Sequence, residues 1–461
     1  MSFRLTKDFL NRPQLKFQQG HSDKKYSLLT LSPYEPPRSN RFLVAFLKDH
    51  GVPQDEKKVD GLLTASKNTF PFTGSSFTRF EDFFTSGLIF DYVSCKEDEL
   101  KTIASDNSYP IILLIHGRSN IGPNNGLVGD EVYYRSKMDA IKNRSRIQYI
   151  SYDHLLKDNP FVKFNIWTQL IAKCNGTPWI VDNSAIQFTS NDTIIVGIAF
   201  SVVNGTITHG IAHLIDTNNM IQEVTLYNIG RRLDHEGLYL KKDEMIDLLR
   251  QVVKRLPSNE RATFNRNFDN AGDNRNVRGL NLFIYKTTPL HPEENEAINN
   301  LINNPGILSY DDIDVTHVHV KSANYGIPRL FDTDNTGTAR QYMNRQGTCV
   351  GIIPEGNSIP GFRFRGDLIV GTVGVTSRGY TPGNIYGTPK SLFLAIHSTI
   401  VDPFERIKNQ VMALTQMDWE YTGENYRGLF IIKYARRMAK ILFYDQDQKS
   451  LRNDIDIRDL M

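Results

Sequence analysis

This 461-residue chain has few cysteines, a small net charge and only short apolar runs, and each of these features argues against certain kinds of protein or site. The three cysteines, Cys95, Cys174 and Cys349, are scattered and form no CxxC pair, which argues for a reducing compartment and against a zinc site. The apolar runs, such as residues 111–115, are only a few residues long, so none predicts a membrane span. The N-terminus lacks the apolar core of a signal peptide, and we therefore expect a cytoplasmic protein.

What the chain does contain is enough apolar sequence for two cores. Apolar residues make up 40% of the composition, and a chain of this length exceeds what a single hydrophobic core ordinarily serves. The formal net charge is only +3, so any nucleic-acid surface must be a local patch. One such patch lies between Tyr133 and Arg146, where five lysine or arginine residues stand beside a single acid, Asp139.

The order of strands and helices differs between two parts of the chain. In residues 106–182 a buried strand, a helix capped by Asp130, a second strand and a second helix alternate, which predicts a Rossmann-like parallel sheet. In residues 183–461 a three-strand meander, with a hairpin turn at Asn204–Gly205, precedes a helix, a strand and a final helix. This second order is that of an RNase H-like domain. Residues 1–105 predict a lead-in that packs on its neighbours.

Six polar side chains have a spacing that suits one terminal phosphate. A tyrosine and a lysine lie one turn apart on the first helix, a glutamine follows on the next strand, and two amides and a lysine recur at every fourth position of the second helix. They are Tyr133, Lys137, Gln148, Asn165, Gln169 and Lys173. An aromatic hydroxyl, two ammonium groups and three amides suit a doubly charged phosphate with a base stacked on the tyrosine. The alternative is that each residue belongs to an ordinary solvated helix face.

This order and spacing resemble the guide 5′-phosphate pocket in the MID domain of Argonaute proteins. The segment GTPWIVD, residues 176–182, resembles the junction between MID and PIWI domains, and GTPKSLFLAIHST with FIIKYARRMAKILF resembles the end of PIWI. The resemblance is to short prokaryotic Argonautes. It implies an α/β fold, with a Rossmann-like MID domain at residues 106–182 and an RNase H-like PIWI domain at residues 183–461.

The resemblance also implies that the PIWI domain is catalytically inactive. Slicing Argonautes hold two divalent metals with four carboxylates, because the metals activate a water and neutralise the leaving oxygen. At three positions that the family pattern marks for these acids, this sequence has Ala199, Thr287 and Arg436. Lys286 and Arg436 place two cations near that site. They either neutralise phosphates of a bound duplex or are ordinary surface residues.

The last residues of the sequence are expected to pack at the phosphate pocket and to hold a magnesium ion there. The sequence closes on Leu460 and Met461, and an apolar end predicts packing where a frayed tail is more often polar. In Argonautes of this type the final main-chain carboxylate helps to hold a divalent cation against the guide phosphate. We therefore expect Met461 to be a magnesium ligand near Gln148 and Lys173, since two anions need a cation between them.

The resemblance implies a guide-loaded recognition module of prokaryotic defence that does not cut its target. Guide RNA pairs with a single-stranded DNA target, and pairing activates an APAZ-containing partner that carries a TIR, sirtuin-like or nuclease effector. We expect that partner to replace the N-terminal and PAZ lobes, for which this chain has no room. Two alternatives stay open. One is a metal nuclease with displaced ligands such as Asp192 or Asp216, and the other is a guide-independent single-strand binder.

Overall fold

In a computed structural model, the chain forms two compact units. The structure describes residues 6–9, 13–64, 79–84, 86–105, 108–117, 130–157, 159–181, 192–203, 206–216, 237–254, 279–321, 331–332, 348–352, 362–371, 374–375, 392–400, 403–420, 428–444 and 455–461. The parallel-sheet unit comprises Gln14–Val181, Met417–Gly423 and Lys440–Met461. The large-sheet unit comprises Met1–Pro13, Asp182–Gln416 and Glu424–Ala439.

Strands and helices occur throughout the described residues. The strands are β1 (Thr6–Phe9), β2 (Leu15–Phe17), β3 (Gly20–Ser22), β4 (Arg41–Leu47), β5 (Ile89–Cys95), β6 (Ile111–His116), β7 (Arg146–Ser151), β8 (Ile180–Val181), β9 (Asp192–Val203), β10 (Thr206–Asp216), β11 (Gly279–Lys286), β12 (Asp312–Lys321), β13 (Phe331–Asp332), β14 (Thr348–Ile352), β15 (Phe364–Gly371), β16 (Gly374–Val375) and β17 (Leu392–Ser398). The helices are α1 (Leu28–Leu31), α2 (Glu56–Leu63), α3 (Leu100–Ala104), α4 (Asp130–Lys142), α5 (Tyr152–Lys157), α6 (Pro160–Lys173), α7 (Lys242–Lys254), α8 (Pro292–Asn303), α9 (Phe404–Gln416), α10 (Phe430–Tyr444) and α11 (Ile457–Leu460). Among these described helices, none has the length and apolar character that a membrane crossing needs.

A four-stranded parallel sheet forms the centre of the parallel-sheet unit, with the strand order β5-β4-β6-β7. Every residue of β6 and all but the first of β4 are buried, as expected for parallel strands covered on both faces. On one face α3 and α4 pack on the sheet through a core that includes Leu43, Leu100, Ile112 and Ala140. The predicted parallel sheet is confirmed.

Two strands of this sheet come from the segment that we expected to be only a lead-in. Both β4 and β5 lie within residues 1–105, and β4 is the inner strand that pairs with β5 on one side and β6 on the other. The unit accordingly begins at Gln14 and not near residue 106. It also takes Lys440–Met461, which the sequence had assigned to the second domain.

An eight-stranded mixed sheet forms the large-sheet unit, in the order β1-β14-β15-β17-β12-β11-β9-β10. β9 and β10 are an antiparallel pair with Val203 opposite Thr206, on either side of the predicted hairpin turn. β11 runs parallel to both β9 and β12. The helices α7 and α8 share a buried core with one face of these strands. The strand predicted near residues 223–229 lies outside the described residues.

The helix α10 packs very closely on the other face of this sheet. A Cβ atom at Gly197 of β9 would lie 2.6 Å from the side chain of Ile431 and 2.8 Å from its main-chain oxygen. Only glycine allows the strand and the helix to approach this far. The helix α9 covers the same face, where the Tyr285 hydroxyl is hydrogen-bonded to Gln410.

Candidate functional site

Three neighbouring elements of the parallel-sheet unit carry the predicted pocket residues. The residues are Tyr133 and Lys137 on α4, Gln148 on β7, and Asn165, Gln169 and Lys173 on α6. The helix α6 begins and ends where its sequence predicts. The Asn159 side chain accepts a hydrogen bond from the main-chain N–H of Phe161 at 2.9 Å. After the helix, a Cβ at Gly176 would lie 2.8 Å from the main-chain oxygen of Ile171, so the turn requires glycine.

The two lysines converge on one main-chain oxygen. Lys137 is 2% exposed and Lys173 is 0% exposed. The ammonium groups of both donate to the main-chain oxygen of Met461, that of Lys173 at 2.6 Å. Lys173 also donates to the oxygen of Ile147 at 2.5 Å, and Lys137 donates to that of Leu460 at 3.2 Å. Two buried ammonium groups side by side concentrate positive charge at this point of the pocket, and concentrated positive charge suits an anionic ligand.

Gln148 contributes a buried amide with an unused acceptor. The residue is 6% exposed, and its Nε2 donates to the main-chain oxygen of Tyr149 at 3.1 Å. Its Oε1 is buried and has no hydrogen-bond partner among the described residues. A buried acceptor without a partner costs about 1–3 kcal/mol. This oxygen therefore gains stability from a bound donor or cation.

Tyr133 is packed among aromatic rings beside Lys137. Its ring centroid lies 5.1 Å from the Nζ of Lys137, 5.0 Å from the ring of Tyr134 and 4.8 Å from the ring of Tyr149. The Tyr149 hydroxyl is hydrogen-bonded to Ser136, and burial raises the pKa of Tyr149, which keeps that hydroxyl protonated. Tyr133 is thus held next to an ammonium group, where it can stack on a base attached to a bound phosphate.

Asn165 and Gln169 lie two turns and one turn before Lys173 on α6. Both are partly exposed, whereas Lys173 is fully buried. The polar stripe of α6 therefore runs from the surface into the interior. Contact of the two amides with the guide phosphate, or with the phosphates that follow it, stays a prediction.

The sequence did not reveal how the last helix is held against this pocket. Arg146, at the start of β7, donates from Nε to Asp459 at 2.5 Å and from Nη1 to the main-chain oxygen of Lys173 at 2.6 Å. Leu460 and Met461 are 0% and 3% exposed, and α11 contacts α4, α6 and β7. Arg146 had counted only as one cation of a basic patch. The available signal was the three acids in the closing segment DIDIRDLM.

Magnesium has one well-suited oxygen in this pocket. The main-chain oxygen of Met461, the expected metal ligand, already accepts hydrogen bonds from the ammonium groups of Lys137 and Lys173. The Oε1 of Gln148 is a buried amide oxygen of the kind that magnesium binds. Within the described ranges, no three His, Cys, Asp or Glu side chains gather into a metal site. The Oε1 of Gln148 therefore fits the ion, while Met461 as its ligand stays a prediction.

Two positions that lack carboxylates are neighbours in the large-sheet unit. Ala199 is buried in β9, and the main-chain N–H of Thr287, directly after β11, donates to the oxygen of Ile198 at 3.2 Å. Ile198 is opposite Lys286 in the parallel register of β9 and β11. Because side chains alternate between the faces of a strand, Ala199 and Thr287 share one face, while Ile198 and Lys286 share the other.

Arg436, the third such position, lies on α10 and is exposed. This helix packs on the face that Gly197 and Ala199 share, as the contact between Gly197 and Ile431 shows. The structure therefore places Arg436 on the helix that covers the Ala199 face, and both sequence interpretations of Arg436 stay open.

Lys286 does not face a nucleic acid. It is 0% exposed and pairs at 2.7 Å with Glu294 of α8, which is also 0% exposed. Glu294 accepts further hydrogen bonds from the main-chain N–H groups of Leu240 and His291, at 2.9 and 2.8 Å. Both interpretations of Lys286 from the sequence, as a phosphate-neutralising cation and as a surface residue, are wrong. Its place in β11 turns it toward α8, where it serves the fold.

We expect loss of Glu294 to destabilise the large-sheet unit. In Glu294→Ala the ammonium of Lys286 stays buried without its partner, and breaking such a pair costs about 3–5 kcal/mol. The double variant Lys286→Met with Glu294→Leu removes both charges and should recover much of the loss. Urea unfolding followed by circular dichroism gives the free energies. A Glu294→Ala protein as stable as the wild type would contradict this role of the pair.

The alternative ligands Asp192 and Asp216 lie close to each other but far from Ala199. Asp192 begins β9, and Asp216 ends β10 opposite Thr193. Ala199 is seven residues farther along β9, about 23 Å at the rise of an extended strand. The ions of a two-metal site are only about 4 Å apart. At these main-chain positions, Asp192 and Asp216 are too distant from Ala199 to share a two-metal site with it.

Comparison with known proteins finds the likeness in structure and not in sequence. No family model and no curated protein matches the chain. Clostridium butyricum Argonaute, bound to a guide DNA (5′ deoxycytidine) and a 19-mer target DNA, is similar over 98% of this chain, with a TM-score of 0.61 and 15% identity. Marinitoga piezophila Argonaute, in complex with 5′ OH guide RNA, is similar over 97%, with a TM-score of 0.51 and 15% identity. Aa-Ago with externally bound siRNA is similar over 95%, with a TM-score of 0.55 and 12% identity.

These similarities establish an Argonaute-like fold. The predicted fold class, an α/β protein with a Rossmann-like MID-type domain followed by an RNase H-like PIWI-type domain, is confirmed. The chain spans little more than half the length of these proteins, namely 54%, 59% and 54% of them. At such low identity the likeness carries the fold alone, so function has to be argued from the pocket.

Proposed function

We propose that the chain binds the 5′-phosphorylated end of a guide strand through its parallel-sheet unit. The observation that carries this proposal is the pair of buried ammonium groups of Lys137 and Lys173, which meet at one main-chain oxygen. Such a pair favours a multiply charged anion, and a terminal phosphate is one. Tyr133 lies beside the pair, where the first base of the guide can stack.

The buried charges favour a phosphate over a hydroxyl at the end of the guide. Argonautes of this fold differ in the guides they hold, since one is in complex with 5′ OH guide RNA and another with a guide DNA. The shared fold therefore does not decide the chemistry of the guide end. A phosphate offers several charged oxygens that can accept hydrogen bonds from the ammonium groups of Lys137 and Lys173, whereas a hydroxyl offers one neutral oxygen. This difference supports the 5′-phosphate.

The proposed guide is RNA and the proposed target is single-stranded DNA. Support comes from the sequence resemblance to short prokaryotic Argonautes and from solved Argonautes of the same fold that hold guide and target strands. Base pairing reads the sequence while the protein holds the backbone, so affinity should fall steeply with salt. The test is to label and sequence the strands that co-purify with the protein. Guides that are DNA, or that lack a 5′-phosphate, would contradict the proposal.

We propose further that the large-sheet unit does not cut the target. The support is chemical, because none of Ala199, Thr287 and Arg436, which stand at the ligand positions of the family pattern, has a carboxylate. Two-metal hydrolysis needs carboxylates that hold both ions beside the scissile phosphate. The nuclease alternative has to find its ligands elsewhere, and Asp192 and Asp216 lie at the far end of β9 and β10.

In this proposal the cellular role is prokaryotic defence. Target pairing activates an APAZ-containing partner with a TIR, sirtuin-like or nuclease effector, and the support for this part is the sequence resemblance. Cells that express both proteins and carry a guide-matched plasmid should lose viability. The variant Lys137→Ala with Lys173→Ala should abolish that loss, since it removes the guide. The same loss of viability in cells without this chain would refute the proposal.

Magnesium has a secondary place in the proposed pocket. When bound, the ion neutralises phosphate charge, and the Oε1 of Gln148 is the protein oxygen that would hold it. Chelation should therefore weaken binding of a 5′-phosphorylated guide less than loss of either Lys137 or Lys173 does. In Gln148→Leu the chelator should have no further effect. Fluorescence anisotropy with and without EDTA measures both, and an equal EDTA effect in wild type and variant would rule out Gln148 as the ligand.

A further inference from the structure

The last helix is too short to be stable without outside contacts. α11 has only four residues, and an isolated helix of this length does not form in water. The Oδ2 of Asp459 accepts a hydrogen bond from the main-chain N–H of Asp456 at 3.1 Å, which closes the start of the helix. The Oδ1 of Asp459 accepts from the Nε of Arg146 at 2.5 Å. One carboxylate therefore both caps α11 and ties it to β7.

Arg146 joins three parts of the parallel-sheet unit. Besides Asp459, it donates from Nη1 to the main-chain oxygen of Lys173 at 2.6 Å and to the side chain of Asn175 at 2.6 Å. Its Nη2 lies 3.7 Å from Asp456. The Arg146 side chain is 14% exposed, so water screens these contacts only weakly. The guanidinium thus holds the end of α6 against α11.

The main-chain oxygens held in this way are the ones that bind the pocket lysines. Leu460 and Met461 follow Asp459 directly, and the oxygens of both accept from Lys137. The Met461 oxygen also accepts from the ammonium group of Lys173. The main-chain oxygen of Lys173 in turn accepts a hydrogen bond from Arg146. A shift of α11 therefore moves the acceptors of both ammonium groups at once.

We propose that Arg146 and Asp459 are positioning residues of the guide 5′-phosphate pocket. Neither contacts the phosphate. The ion pair fixes α11, and α11 fixes the direction of the ammonium groups of Lys137 and Lys173. This inference rests on the proposed function, because without phosphate binding there is nothing to position.

Positioning and plain electrostatics predict opposite signs for the loss of Asp459. Its carboxylate lies on the helix that contacts the two lysines, so its negative charge repels a bound phosphate. If the charge alone mattered, Asp459→Asn would tighten binding of a 5′-phosphorylated guide. If the ion pair aligns Lys137 and Lys173, the same change weakens it.

The test compares two guides of one sequence, with a 5′-phosphate and with a 5′-hydroxyl. In Asp459→Asn the preference for the phosphate should fall about tenfold, as for loss of one charged hydrogen bond, while the affinity for the hydroxyl guide stays the same. Arg146→Lys keeps the charge but loses the planar guanidinium with its several donors, and it should lower the preference for the phosphate in the same way. The matched control is Glu131→Gln, which removes an acid on α4 that pairs at 2.8 Å with exposed Arg135. It should leave the preference unchanged or higher.

The outcomes separate this inference from the proposed function. If the wild-type protein shows no preference for the 5′-phosphate guide, both the proposed function and this inference are wrong. A wild type with a preference that Asp459→Asn and Arg146→Lys retain in full overturns the positioning role alone. Hydrogen exchange is the second measurement, since residues 455–461 should lose protection in both variants while β4 and β6 keep it. A reduced preference with unchanged exchange in residues 455–461 would also overturn it, because the effect would then not pass through α11.

Discussion

Alanine at both Lys137 and Lys173 is expected to weaken binding of a 5′-phosphorylated guide by on the order of a hundredfold or more. A hydrogen bond to a charged group contributes roughly 1.5–3 kcal/mol, and every 1.4 kcal/mol is about a factor of ten in affinity. Both ammonium groups are buried, so bulk water does not compete for them. A 5′-hydroxyl guide should lose much less, since it brings no charge to the pocket. Each single variant should lie between the wild type and the double variant.

Two further variants keep this experiment interpretable. Methionine at both positions fills the space of the lysine stems without their charge, so a loss that methionine shares with alanine is not a packing defect. Lys142→Ala removes the same charge from the last turn of α4, away from the pocket, and should weaken both guides slightly and equally. Equal losses for both guides in the double variant would mean that Lys137 and Lys173 serve the fold or the general charge.

A matched target strand is expected to remain intact when it is incubated with the guide-loaded protein in magnesium or manganese. The side chains of Ala199, Thr287 and Arg436 cannot hold two metal ions, and without these ions the water and the leaving oxygen are not activated. The effect is all or none, because the metals supply most of the chemistry. Denaturing gel electrophoresis of an end-labelled target gives the result directly.

Controls decide what any cleavage would mean. An Argonaute with its four carboxylates intact should cut the same target under the same conditions. Cleavage by this chain about midway along the guide, stopped by a chelator, would contradict the proposal of a silent site. In that case Asp192→Asn and Asp216→Asn would show whether the displaced ligands exist. Binding of the uncut target should still depend on complementarity to the guide.

Local signals in the sequence predicted the pocket helices well. The helix α6 begins after Asn159 and ends before Gly176, because capping side chains and a glycine turn act within a few residues. The same helical spacing placed Lys137 and Lys173 correctly on α4 and α6. Their burial was not predicted, because lysine is rarely buried and the same spacing also fits a solvated helix face.

Long-range pairings were beyond the reach of the sequence. β4 has an apolar run, FLVAFL, but nothing near it in the chain shows that it pairs with β6. Arg146 and Asp459 are 313 positions apart, so no spacing rule connects them. Lys286 is an intermediate case. Alternation along β11 places Lys286 on the face opposite to Thr287, but only the structure shows that Glu294 of α8 lies against that face.

The parallel-sheet unit is discontinuous in the chain, and this has a consequence for biosynthesis. A ribosome makes Gln14–Val181 before nearly the whole large-sheet unit and Lys440–Met461 after it. Until residues 440–461 have been made, the nascent pocket has its two lysines but not the oxygens of α11. A product that terminates early should therefore load no guide, even where its first domain has folded. A fragment of residues 14–181 should regain guide binding only when a peptide of residues 440–461 is added.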